Sequence, residues 1–231
     1  MLLRHVAQHI KMQNWTAVGL DFAIVVIGVY IGIQFSNWNN ARQVQTQERE
    51  MLTELRVALN ADFRALKDAL PRIQRIIDSA EQLQNHMRNG GPYNQKLDEH
   101  FGIIYGFYPI EFNRASYESL KSQGLGLISD HHLRSEIVRT YEQTYRQLQS
   151  SKDAELRIII DLMEPYFLKH FEHLRFNQSA TPIHYDVLVE DTQFLNLIDY
   201  RLQVARQNQL PTYEMGIEKI NQLLAVIENK L

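Results

Sequence analysis

The sequence predicts an all-α protein in which an N-terminal single transmembrane helix continues into a long helix of a helical bundle. Three observations favour this fold class. Twelve apolar residues run without interruption over 22–33, segments of helical period follow them, and strand-like alternation is nearly absent. With 45% hydrophobic residues among 231, the chain has enough apolar material for a core. We divide it into an interfacial segment 1–14, a transmembrane helix 15–38 and a helical bundle 39–231.

Composition narrows the classes of function. The formal net charge is -3 and no cluster of lysine and arginine is visible, which argues against nucleic acid as the main partner. The absence of cysteine excludes disulfides, thiolate nucleophiles and cysteine-based metal sites. The sequence also lacks the glycine-rich phosphate-binding motifs, the nucleophile elbow and the zinc-protease motif. We therefore expect no enzyme activity, no catalytic residues and no cofactor.

The apolar run indicates a membrane span, because the two tryptophans of the chain bracket it. Trp15 and Trp38 are separated by roughly 35 Å of helix, at about 1.5 Å per residue, which suits two interfacial belts. A cleaved signal peptide would need small residues after Phe35, and a buried soluble helix would not explain the paired tryptophans. We expect contact with membrane lipid, with Trp15 and Trp38 as interface anchors.

Four residues of the span lie on one stripe of the helix. At 100° per residue, Asp21, Val25, Gly28 and Gly32 all fall within about 40° of Asp21. The G-x-x-x-G spacing lets two backbones approach closely, and Asp21 can pair across the same interface. This predicts a packing face and a homo-oligomer. The alternative is that glycine is simply common in membrane helices and that Asp21 stays wet near the headgroups.

The segment before the span has an amphipathic pattern. Leu3, Val6 and Ile10 share one face of residues 1–14, and the basic residues lie elsewhere, which predicts a short helix in the membrane interface. The basic residues favour a cytoplasmic amino terminus. The bundle would then lie on the other side of the membrane.

Two stretches carry a resemblance. Residues 20–60 contain an acidic residue, VVIGVYIGIQF and NWNNAR before an acid-rich helical continuation, and residues 115–145 contain SYESLKSQGLGLISDHHLRSEIVRTYE. Both resemble an uncharacterised family of bacterial single-pass membrane proteins, with N-N-W-N-E after the span and Y-x-x-L-x-x-S-G before an N-L-R-x-x-I-x-x-Y-Y helix. The resemblance implies a bacterial inner-membrane anchor with a helical periplasmic domain, and it implies no activity. This chain departs from the family in a less basic leader and in Gly32, where relatives often have alanine.

Beyond the span, the pattern predicts a long amphipathic helix. Apolar residues recur at steps of three and four from Leu52 to Met87, as in coiled coils, and make this helix continuous with the span. Pro71 should kink or break it, because proline removes a backbone hydrogen bond. The turn-forming stretch NGGPYN at 89–94 should end it.

The next elements are predicted from their caps. Residues 95–108 have helical spacing, and a helix from about Arg114 should end at Gly124 or Gly126, since glycine adopts left-handed cap conformations. Asp130 is predicted to cap the amino terminus of a long helix.

The remaining elements are predicted from prolines and loops. The long helix should reach Pro165 and kink there, and the stretch FNQSATPIHYD at 176–186 is predicted to be a loop. Two last helices, about 191–208 and 212–230, should be separated at Pro211.

Aromatic and basic side chains at helical spacing suggest a small-ligand pocket between helices. Its predicted lining is Phe101, Tyr105, Tyr108, Arg114, Tyr117 and Lys121. The alternative for the aromatic residues is core packing. His170 and His173 lie three residues apart, but a metal needs three or four converging ligands, so we expect no metal site.

These expectations combine into two hypotheses. The first is a membrane-anchored, self-associating protein whose extracytoplasmic domain binds a partner protein or a small ligand. The second is a structural scaffold or accessory subunit of a larger membrane complex, in which Asp21 contacts the span of a membrane-protein partner.

Overall fold

The computed structural model describes residues 15–231, with side-chain environments from residue 19 onward. Helices make up 80% of it, which confirms the all-α fold class. The first helix, α1, spans Trp15–Arg88. The predicted interfacial segment 1–14 and the side chain of Trp15 lie outside the described residues.

The first compact unit of the chain extends to Arg49. In the described residues it holds only the amino-terminal part of α1. An 18-residue window near the start of this helix has a mean hydropathy of 1.8, and none of the window is buried. Within the residues that the structure describes, one helix is therefore long and apolar enough to cross a membrane.

The second unit, Glu50–Leu231, is a helical bundle. Its helices after α1 are α2 (Leu97–Ile104), α3 (Ala115–Gln123), α4 (His131–Arg139), α5 (Tyr145–Arg157), α6 (Glu164–His170), α7 (Tyr185–Leu188), α8 (Thr192–Val204) and α9 (Leu210–Glu228). π-helical segments at Thr140–Thr144, Ile158–Met163 and Ala205–Gln209 connect α4 to α5, α5 to α6 and α8 to α9, and a 3-10 turn at Leu125–Leu127 follows α3. A two-stranded antiparallel hairpin, β1 (Phe171–Arg175) and β2 (Ser179–Pro182), lies between α6 and α7.

The second unit has two hydrophobic cores, and α1 contributes to both. In the first core, the part of α1 from Met51 to Ile77 packs against α3, α4 and α9. In the second core, Ala80, Leu83 and Met87 pack against α2, α6, the hairpin and α8. The apolar residues that recur along α1 therefore pack in two successive cores, first from Met51 to Ile77 and then from Ala80 to Met87.

Helix α1 continues through Pro71, so the predicted break is wrong. Proline inside a helix costs about 3 kcal/mol. Leu66, Ala69 and Ile73, on either side of it, are buried in the first core. Burial of a leucine or isoleucine side chain contributes about 1.5 to 3 kcal/mol, so two such residues offset the loss.

Two other prolines follow π-helical segments. Pro165 comes two residues after Ile158–Met163, and Pro211 comes two residues after Ala205–Gln209. Each proline therefore lies in the first turn of the next helix, where its missing N–H is not needed. The last two helices, α8 and α9, are joined through the π-helical turn and not separated at Pro211 as predicted.

The stretch 176–186, predicted to be a loop, contains β2 and the first residues of α7. The strands are short, and β1 has a bulge around His173, whose φ is 51°. A bulge breaks the alternation of side chains, so the sequence shows no strand pattern here. Gly102 on α2 allows the hairpin to approach, because a Cβ at this position would lie 2.1 Å from the backbone nitrogen of Ser179.

Two predicted caps are confirmed. The Asp130 carboxylate accepts hydrogen bonds from the backbone N–H groups of His132, at 2.9 Å, and Leu133, at 3.1 Å, at the start of α4. Gly124 ends α3 with a φ of 102°. These two caps fix the corner between α3 and α4.

Candidate functional site

The predicted packing stripe of the span is exposed on α1. Asp21, Val25, Gly28 and Gly32 all have accessible surfaces. A Cβ added at Gly28 or Gly32 would meet nothing within 4 Å. The stripe is therefore open for contact with lipid or with another helix.

Trp38 combines apolar and cationic contacts at the end of the predicted span. Its ring lies 5.9 Å from the ring of Phe35, and the guanidinium of Arg42 lies 5.2 Å from its centroid. An indole between an apolar ring and a cation suits the boundary between hydrocarbon and headgroups. The anchoring role of Trp38 stays a prediction.

The six residues predicted to line a pocket are not brought together. Phe101 packs edge-on against Phe171 in the second core, where Tyr105 also stacks on Phe167 at 4.5 Å. Both predicted residues are buried, as the core-packing alternative expects. Tyr108 lies elsewhere, with the guanidinium of Arg72 at 4.9 Å from its ring.

The other three, Arg114, Tyr117 and Lys121, lie together on α3 and its amino-terminal boundary, with both cations near the Tyr117 ring. Tyr117 belongs to a stack of three tyrosines with Tyr141 and Tyr145, called here the tyrosine stack. Successive ring centroids are 4.5 Å and 4.6 Å apart, and all three side chains are buried. Tyr141 lies in a π-helical segment, Thr140–Thr144, and such segments often occur at functional sites.

The inner end of the tyrosine stack contacts a buried carboxylate. The hydroxyl of Tyr145 donates to Asp62 Oδ2 at 2.5 Å. The backbone N–H of Asn113 donates to both oxygens of Asp62, at 3.1 and 3.2 Å. Burial raises the pKa of Asp62, and these hydrogen bonds oppose the shift. Asp62 therefore ties α1 to α5 and to the loop before α3.

The outer end of the stack contacts an ionic group on the surface. Glu142 accepts a hydrogen bond from the Tyr117 hydroxyl at 2.9 Å. Three cations surround the same carboxylate: Lys121 at 3.4 Å, Arg146 at 3.7 Å and Arg114 at 3.9 Å. We call Arg114, Tyr117, Lys121 and Arg146 the donor cluster. The Tyr117 hydrogen bond, followed by the nearby Lys121, lowers the pKa of Glu142.

The donor cluster is held in place by aromatic and ionic contacts. Lys121 Nζ lies 5.4 Å and Arg114 Cζ 6.0 Å from the centroid of the Tyr117 ring. Glu118 lies 3.5 Å from each of these two cations. Burial and Glu142 raise the pKa of Tyr117 to about 12, so its hydroxyl stays a donor at neutral pH. The arrangement can bind a carboxylate or a phosphate group.

A second buried carboxylate is paired with a cation that sequence reasoning did not single out. Arg201 is fully buried and donates to Glu155 Oε1 at 2.8 Å. It also donates to the carbonyl oxygens of Ile104, at 3.2 Å, and Gly106, at 3.0 Å. These partners are 46 to 97 residues away in the chain, so no local pattern could have identified them.

The two histidines considered for a metal site separate in the fold. His170 ends α6 and stacks on Tyr166 at 4.3 Å, whereas His173 lies in the bulge of β1. Across residues 15–231, no three histidine, aspartate or glutamate side chains are grouped so as to hold a metal ion.

No family model, curated protein or solved structure matches this chain. The resemblance stated from the sequence therefore stays a prediction. Its second stretch, residues 115–145, includes Tyr117 and Tyr141 of the tyrosine stack and Glu142 beside it.

Proposed function

We propose that this protein is anchored in the bacterial inner membrane by one span and that its helical domain, on the periplasmic side, binds a partner protein or a small ligand. One observation carries the proposal. Within a single helix, the apolar window near the start is wholly exposed, whereas the apolar residues from Met51 to Met87 are largely buried. A bilayer is the environment that removes such an exposed apolar length from water.

The side of the membrane is tested by labelling a single cysteine, since the chain has none of its own. Ser150 is exposed on α5, whereas its neighbour Ser151 is buried and donates to Asn208 at 2.6 Å. A membrane-impermeant thiol reagent should label Ser150→Cys in intact cells. Ser151→Cys is the matched control, which should react only after denaturation. Labelling of Ser150→Cys only after lysis would place the domain in the cytoplasm and contradict the proposal.

Self-association through the span is the second part of the proposal. Glycines at positions 28 and 32 leave an open face on which a second copy of α1 can pack closely. Gly28→Ile with Gly32→Ile should reduce the crosslinked dimer in native membranes. Gly19→Ile is the control, because Gly19 lies about 160° around the helix from Asp21. An equal amount of dimer in the double variant and in wild type would rule out this face.

Asp21 favours an alternative, in which the protein is an accessory subunit of a larger membrane complex. Its side chain is exposed within the apolar part of α1. A charge there is costly in lipid, and pairing with a polar group on a partner's span lowers that cost. Affinity purification from native membranes tests this. A stoichiometric partner that is lost in Asp21→Leu would support the accessory subunit, and the absence of such a partner would count against it.

A further inference from the structure

Four donors of the bundle converge on one surface carboxylate. Tyr117, Lys121 and Arg114 come from α3 and its amino-terminal boundary, and Arg146 comes from α5. All four point to Glu142, with donor-to-oxygen distances of 2.9 to 3.9 Å. Only Tyr117, at 2.9 Å, and Lys121, at 3.4 Å, lie within hydrogen-bond distance of Glu142, whereas the guanidinium groups of Arg146 and Arg114 lie at 3.7 and 3.9 Å. Each guanidinium has five N–H donors, so the site has donors that Glu142 does not use.

Tyr117 is held in a fixed position at the base of the site. Tyr117 is 1% exposed, yet its hydroxyl reaches Glu142 at the surface. Its ring is stacked on Tyr141 with an angle of 2° between the planes. Donors that are held before a ligand arrives lose less conformational freedom on binding, which raises affinity.

The charges of the site favour an anion. Arg114, Lys121 and Arg146 carry three positive charges, and Glu118 and Glu142 carry two negative ones, which leaves +1. Without Glu142 the same site carries +2. The chain as a whole carries -3, so this local excess of positive charge does not follow from composition.

We propose that the donor cluster is a binding site for a small oxyanion, and that Glu142 occupies the place of the ligand's carboxylate or phosphate group in the free protein. The inference deepens the proposed function, on which it rests, by naming the ligand class of the domain. Glu142 is half-buried and its side chain has rotatable bonds, so an incoming oxyanion can displace it towards solvent. Phosphate has an advantage in this exchange, because it presents more acceptor oxygens to the guanidinium groups than a carboxylate does.

The test is to remove the charge of Glu142 and to keep its shape. Inorganic phosphate and succinate are titrated into the purified full chain in detergent, and binding is measured by calorimetry. Glu142→Gln should bind at least one of them about fivefold or more tightly than wild type, since a unit charge at about 4 Å has an effect of this size even in water.

Glu136→Gln is the matched control. It removes the same charge, from a glutamate that pairs with Arg139 at 2.8 Å and does not contact the donor cluster. It should leave anion binding at the wild-type level. Adding Lys121→Gln to Glu142→Gln should abolish the gain, because a central donor is lost.

The titrations distinguish a phosphate ligand, a carboxylate ligand and the absence of an anion site. Preferential binding of phosphate by Glu142→Gln would support a phosphate ligand, and preferential binding of succinate a carboxylate ligand. Equal anion binding in Glu142→Gln, Glu136→Gln and wild type would overturn the inference, as would a gain that survives the loss of Lys121. Thermal unfolding checks the fold, and Glu142→Ala replaces the glutamine variant if that one unfolds. If the anion test fails while Ser150→Cys is labelled in intact cells, only the ligand inference falls.

Discussion

In the first core, the buried carboxylate of Asp62 accepts hydrogen bonds from neutral groups, the Tyr145 hydroxyl and the Asn113 N–H. At α8, the buried carboxylate of Glu155 faces the fully buried guanidinium of Arg201. A buried carboxylate is therefore stabilised in two different ways: by neutral hydrogen-bond donors in the first core and by a cation at α8.

This difference decides how each region responds to a change. A carboxylate among neutral donors can take up a proton, and it then buries no charge. A carboxylate paired with a cation is stable only while its partner remains, because removal of one partner leaves an uncompensated buried charge. We therefore expect the Asp62 region to depend on pH and the Glu155 region to depend on its partner.

The largest effect should come from Arg201→Met, which breaks the ion pair. We expect the free energy of unfolding to fall by about 3 to 5 kcal/mol, since Glu155 would be left buried and charged. Denaturant unfolding of the full chain in detergent, followed by circular dichroism, measures the loss. Arg206→Met is the control, because its pair with Glu81 is about half exposed and such pairs contribute about 1 kcal/mol or less.

Adding Glu155→Leu to Arg201→Met tests whether the loss of stability comes from the unpaired charge of Glu155. Arg201→Met with Glu155→Leu removes both charges and should recover part of the lost stability. If the double variant is less stable than Arg201→Met alone, the arginine acts mainly through the carbonyl oxygens of Ile104 and Gly106.

A smaller effect is expected for Tyr145→Phe in the first core. The ring remains in the tyrosine stack, but Asp62 loses its hydroxyl donor, which should lower the free energy of unfolding by about 1 to 3 kcal/mol. Thermal unfolding at neutral pH checks this loss. Tyr200→Phe, at an exposed position, should have almost no effect. Equal melting temperatures for Tyr145→Phe and wild type would show that the hydroxyl does not support Asp62.

The pH dependence of the first core is tested with Asp62→Asn. Burial raises the pKa of Asp62 above its ordinary value of 3.8, so between pH 3.8 and the raised pKa the folded protein holds a proton that the unfolded chain has released. The contribution of Asp62 to stability therefore falls as the pH rises through the raised pKa. Wild type should gain melting temperature relative to Asp62→Asn as the pH is lowered from 7 towards 4. A constant difference over this range would contradict the raised pKa.

The smallest effect is expected for a surface carboxylate. Asp130 pairs with Lys230 at 2.6 Å and caps α4, and these contacts lower its pKa to about 2. Its contribution is complete above pH 3.8 and is lost as the pH falls through about 2, opposite in sign to that of Asp62. Asp130→Asn keeps a capping oxygen, so its melting temperature should lie slightly below wild type at neutral pH, and the difference should shrink as the pH falls through about 2. A difference that 0.5 M salt leaves unchanged would argue against the ion pair.

Several elements could be predicted because their cause is local. The Asp130 cap depends on N–H groups two and three residues away, and the end of α3 depends on the freedom of Gly124 to adopt a positive φ. The apolar window of α1 can be recognised from the composition of 18 consecutive residues. Such features are visible in one short stretch of sequence.

The wrong predictions fail because of contacts between residues that are far apart in the sequence. Pro71 was expected to kink or break α1, but the helix continues through it, because burial of Leu66 and Ile73 in the first core outweighs the cost of one proline. The stretch 176–186 was predicted to be a loop, but it contains β2, which pairs with β1 across a bulge at His173. In both places tertiary packing overrides the local preference.

The predicted pocket residues also divide into those that share one helix and those that tertiary packing separates. Arg114, Tyr117 and Lys121 were predicted together because they lie within one helix and its boundary, and the structure keeps them together. Phe101 and Tyr105 were assigned to the same pocket, but they pack in the second core. Sequence spacing describes which side chains share a helix face, and it does not describe which other helix that face meets.

The sequence by itself determined the helical class, the exposed apolar length of α1 and the caps at Gly124 and Asp130, because each depends on residues within a few turns of one another. Only the tertiary structure decided that Glu142 is surrounded by the donor cluster and that Glu155 meets Arg201. Apart from the i,i+4 pair of Arg146 with Glu142, these contacts join groups from different helices, 21 to 46 residues apart. Their free energy depends on burial and distance, which exist only once the chain has folded.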